Sequence, residues 1–75
     1  MTRYQLLKKH KTIVFLFVKY GIINYQVIRD MEIYEQFQLM KDVPHNEAKY
    51  LVLADSYDLS TSRIEQIIYS MQCVN

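Results

Sequence analysis

Between residues 60 and 69 the sequence sets Ser60, Thr61, Ser62, Arg63, Gln66 and Tyr69 among the isoleucines Ile64, Ile67 and Ile68. Steps of three and four residues put those isoleucines on one side of a helix and turn the polar set outward. The outward types suit the edges and phosphates of a duplex. Arg pairs with guanine, Gln pairs with adenine, and Ser and Thr reach phosphates or bases. Other chemistries find no footing in the chain. His10 and His45 show no metal-ligand spacing with Cys73 or with a carboxylate. There is no glycine-rich phosphate loop and no Ser/His/Asp arrangement arguable from proximity, and Asp30 and Glu32 fall on different faces of one helix. The expectation is a protein that is not an enzyme, with no metal, no cofactor and no small-molecule substrate.

The elements that must position this set read as helices. A chain of 75 residues is one domain at most, and its 51% hydrophobic content is ample for a core. One Gly and one Pro leave too little turn punctuation for a sandwich or barrel, which points to an all-α domain with short connections. The spacing predicts four helices. The first covers residues 3–20 and is closed by Gly21. Its apolar series is Tyr4, Leu6, Leu7, Ile13, Val14, Phe17 and Tyr20. The second runs from Tyr25 to Lys41 behind Asn24 as N-cap, burying Val27, Ile28, Met31, Tyr34, Phe37 and Met40. A third extends from Pro44 to Tyr57 and a fourth from Ser60 to Met71. Residues 1–43 are then two helices serving core and dimerisation, and residues 44–75 carry the reading unit.

The segment Tyr50 to Tyr69, YLVLADSYDLSTSRIEQIIY, resembles the helix-turn-helix of bacterial and phage transcription regulators. The likeness covers residues 44–72 and is similar to Mor-like phage activators and to regulators with a sigma-factor-type reading head. Ala54 stands where the family prefers a small side chain, and Leu59 stands where it places an apolar plug. Asp58 replaces the usual turn Gly, at a position that tends to need a left-handed backbone; Asp tolerates it. Ser60 suits the N-cap of the second helix of the pair. The resemblance implies a transcriptional regulator whose last helix enters the major groove of double-stranded DNA. Thr61, Ser62, Arg63 and Gln66 then approach bases or nearby phosphates, and Tyr69 the backbone.

Charge is unevenly spread. Residues 1–20 hold Arg3, Lys8, Lys9, Lys11 and Lys19 with no acid, whereas residues 45–75 set Lys49 and Arg63 against Glu47, Asp55, Asp58 and Glu65. DNA affinity therefore needs help from Arg3, Lys8, Lys9 and Lys11 beside the same groove, the three lysines supplying attraction independent of sequence. An acidic outer surface on the last two helices would instead suit a basic protein. That alternative is a non-enzymatic interaction module, such as a small phage or mobile-element protein that binds a regulator or polymerase subunit. Phe15, Leu16 and Val18, left over once one stripe is buried, suggest a homodimer. The run from Ile13 to Val18 is too short to span a bilayer, so no membrane is expected as partner. A single Cys73 excludes a disulfide framework and fits a reduced, cytoplasmic protein.

Overall fold

The computed structural model describes residues 1–73, so the last two residues of the expected reading unit lie outside the described residues. Five α-helices, and no strand, occur among the described residues. They are α1 (Arg3–Lys9), α2 (Lys11–Lys19), α3 (Gln26–Leu39), α4 (Asn46–Tyr57) and α5 (Thr61–Gln72). The all-helical expectation holds. The expected first helix, however, is two. His10 leaves helical geometry at φ −106° and ψ 30°, and serves as C-cap of α1 and N-cap of α2. Lys8, Lys9 and Lys11 crowd that turn with no acid to offset them, and like charges three residues apart oppose a continuous helix.

Helix ends follow local chemistry. Thr2 and Gln5 form a reciprocal capping box at the start of α1, with bonds of 3.1 and 2.9 Å. Gly21 closes α2 at φ 76°: its N–H reaches the Val18 carbonyl while the Ile22 N–H reaches that of Phe17. The Asn24 side chain accepts the Gln26 N–H at 3.0 Å, so it caps α3 from one residue further out than the sequence suggested. Helix α4 begins at Asn46, two residues after Pro44, and its N-cap His45 makes no side-chain capping bond.

The core sits where α3, α4 and α5 meet, with α1 laid across it. Ile33, Leu53, Ile64 and Met71 are wholly buried there, beside Met31, Tyr34, Ala54, Ile67 and Ile68. An aromatic series ties three helices together. Tyr4 packs on Tyr34 at 4.8 Å between centroids, Tyr34 on Phe37 at 6.5 Å, and Phe37 on Tyr50 at 5.9 Å. Ile33 was absent from the stripe read in the sequence, yet it is completely enclosed. Helix α2 stands apart. Only Val14 is buried on it, outside the main cluster, and Ile13, Phe15, Leu16 and Phe17 stay exposed. The expected burial of Ile13, Phe17 and Tyr20 therefore fails, because the turn at His10 directs α2 away from the layer that α1 joins.

Candidate nucleic-acid interface

Helices α4 and α5 are joined through Asp58, Leu59 and Ser60. Asp58 adopts the left-handed conformation, φ 55° and ψ 46°, as its turn position requires. That reversal lets the Leu59 N–H return to the Ala54 carbonyl at 3.0 Å. Ser60 then caps α5, its hydroxyl accepting the Arg63 N–H at 3.1 Å. Ala54 is buried, Tyr57 and Leu59 are half-buried against the cluster, and Ile64, Ile67 and Ile68 are buried. The packing is the one the spacing demanded: the isoleucines of α5 share one cluster with Leu53 and Ala54.

With that side of α5 inward, Ser60, Thr61, Ser62, Arg63, Gln66 and Tyr69 are all exposed. Ser62, Gln66 and Ser70 follow at four-residue steps and, with Glu65 and Tyr69, line one open hollow of about 380 Å³. No acidic side chain occupies the first turn of α5, which leaves the positive end of its dipole unopposed. At the other end stands Arg3, expected with the basic N-terminal segment beside the groove but not as part of the α5 row. The Arg3 guanidinium donates to the Ser70 hydroxyl at 2.9 Å, and the Arg3 N–H donates to the Cys73 carbonyl at 2.8 Å. The row thus has Arg63 near its start and Arg3 at its end. A contact across 67 residues leaves no local pattern in a sequence.

The lysines distribute differently. Lys8 lies over the Tyr4 ring at 5.7 Å on α1. Lys11 lies over Phe15 at 5.7 Å, and the two face a hollow lined otherwise by Ile28, Met31, Glu32 and Glu35 of α3. No residue of α5 lines that hollow, so Lys11 is not brought to the polar row. Lys9 is exposed at the last turn of α1.

The flank of α5 that meets α4 is acidic. Glu47, Tyr50, Leu51, Thr61 and Glu65 border a second open hollow, also of about 380 Å³. On the opposite side of α4, Tyr57 lines a hollow with Glu32, Gln36, Met40, Leu53 and Ser56. Burial pushes the Tyr57 hydroxyl above the ordinary tyrosine range. The Glu32 carboxylate adds to the rise by repelling the phenolate and bonding its neutral form. Among the described residues no three His, Cys, Asp or Glu side chains converge on a possible metal position. No described helix is long and apolar enough to cross a membrane. Compared with known proteins, the chain matches no family model, no curated protein and no solved structure.

Proposed function

We propose that this chain is a non-enzymatic, cytoplasmic DNA-binding protein, a transcriptional regulator that places α5 in the major groove as the second helix of a helix-turn-helix. One observation carries the reading: a capped helix exposes Ser62, Arg63, Gln66 and Tyr69 on its outer side, with Arg3 fixed at the far end of the same row. Arg63 and Gln66 supply base-reading groups, Ser60, Thr61 and Ser62 reach phosphates near the helix start, and Tyr69 contacts the backbone further along. Lys8 and Lys9 add attraction that is independent of sequence, and of the basic N-terminal residues Arg3 is the one held at the row itself. A homodimer completes the reading by pairing two such helices on adjacent half-sites.

The test is fluorescence anisotropy with duplex DNA of random sequence, titrated between about 50 and 200 mM salt. Binding that weakens steeply across this range supports the reading, and no binding at the lowest salt refutes it. Arg63→Ala costs about 1–3 kcal/mol of specific binding, whereas Arg3→Ala weakens all sequences alike and lowers the salt slope by about one.

A protein partner is the second reading, favoured by the flank shared with α4. There Glu47 and Glu65 stand beside Leu51, which is 62% exposed, and a basic amphipathic segment would meet both features. Charge reversal at Glu47 and Glu65 would then abolish capture of that partner while leaving α5 folded.

A further inference from the structure

Helix α2 is apolar on every side from Ile13 to Val18, yet α1 and its neighbours cover only the side of Val14 and, in part, Val18. A helix apolar all round belongs in an interior. The molecule shows the consequence in its surface. A folded 9.1 kDa chain exposes about 4,900 Å² by the usual scaling, and this one exposes 5438 Å². Ile13, Leu16, Phe17 and Tyr20 share the side of α2 turned away from Val14, and their exposed parts amount to roughly 400 Å², half of the about 800 Å² that each partner brings to a standard interface.

Beside α2 lies a hollow of about 220 Å³ whose floor is Ile28 and Met31, whose rim carries Glu32 and Glu35, and whose near wall is this chain's own Lys11 and Phe15. The rim keeps two acids against the one lysine, so its apolar, acidic character still suits the α2 of a second copy, an apolar helix that ends in Lys19. We propose that two copies of this chain pair through α2, each laying its Leu16, Phe17 and Tyr20 side over the Glu32- and Glu35-rimmed hollow of the other, where Phe15 forms the wall that receives it. The arrangement is two-fold, so every contact is made twice. The charges also select this register. Residues 1–29 hold six basic side chains and no acid, so two α2 helices meeting face to face alone would repel, whereas α2 on the α3 rim of its partner attracts. The inference deepens the homodimer part of the function proposed above and does not depend on DNA binding.

Sedimentation equilibrium of the full chain tests it. At about 100 µM, above the range in which a standard interface dissociates, the mass should be twice 9.1 kDa. Phe15→Glu, at a site 46% exposed, should weaken association by roughly thirtyfold or more while the helical circular dichroism is retained. Lys19→Glu and Glu35→Lys should each weaken pairing, and mixing the two variants should restore it, because the mixed dimer regains both opposite-charge contacts. A monomeric wild-type chain overturns the proposal, as does a dimer indifferent to Phe15→Glu, or one that mixing fails to restore. Co-sedimentation of a monomeric chain with anionic lipid vesicles would assign α2 to a membrane surface instead. Either failure leaves the anisotropy result, and so the DNA reading, untouched.

Discussion

Asp58 is the single non-glycine residue with positive φ among those described, and the whole α4–α5 angle passes through it. An L-residue there costs about 1–2 kcal/mol, reduced for Asp by local bonding and removed for Gly. Asp58→Val should therefore be less stable than Asp58→Gly by about 1–2 kcal/mol in urea denaturation. Ser60→Ala should cost about 1 kcal/mol by the same assay, since the Arg63 N–H loses its acceptor. Tyr57 gives a pH signature. Its proton is held more tightly in the folded chain than in the unfolded one, so its contribution to stability is complete below about pH 10 and is lost as pH rises through the higher folded value. Tyr57→Phe should flatten that part of the alkaline stability profile.

Among the elements, α5 was the most legible from sequence. Its boundaries, cap and buried isoleucines follow from one periodic segment between a turn and the chain end. The first helix was the least legible, because Lys8-Lys9-His10-Lys11 holds no Gly or Pro, and repulsion among its lysines, a few tenths of a kcal/mol per pair, is too weak by itself to mark a break. The turn at His10 depends on where α1 and α2 find neighbours, which spacing alone does not encode. Ile33 lies outside the single stripe for a related reason: α3 is contacted by α1, α4 and α5 together, so its buried arc is wider than one stripe. The site divides in the same way. The outward set on α5 was visible as a pattern, while Arg3 reached it only through the tertiary fold. In native-state hydrogen exchange, the α2 amides of the isolated chain should open at the lowest free energy of the five helices. Raising the protein concentration should protect them if α2 is the pairing element.

At the scale of the whole molecule, the Cα radius of gyration is 12.8 Å, against about 11 Å for a compact chain of this length. The difference fits a small core with an outlying α2. A core of this size supplies only about 3–5 kcal/mol in net stability, and truncating one enclosed aliphatic side chain removes about 2–5 kcal/mol. Ile33→Ala should thus leave the chain largely unfolded at 25 °C, read as lost helical ellipticity, while Leu51→Ala, on the surface, should not.

The bond from the Arg3 N–H to the Cys73 carbonyl sets the two ends of the described chain side by side, 2.8 Å apart at the backbone. A short flexible linker could therefore join them, and the loops at residues 21–24 or 41–45 offer new openings for a circular permutant. The same adjacency has a practical cost. An affinity tag attached ahead of Thr2 would stand close to Ser70 and crowd the outer row of α5, so obstruction alone would weaken binding by such a fusion. A permutant opened in one of those loops would carry its tag away from that row.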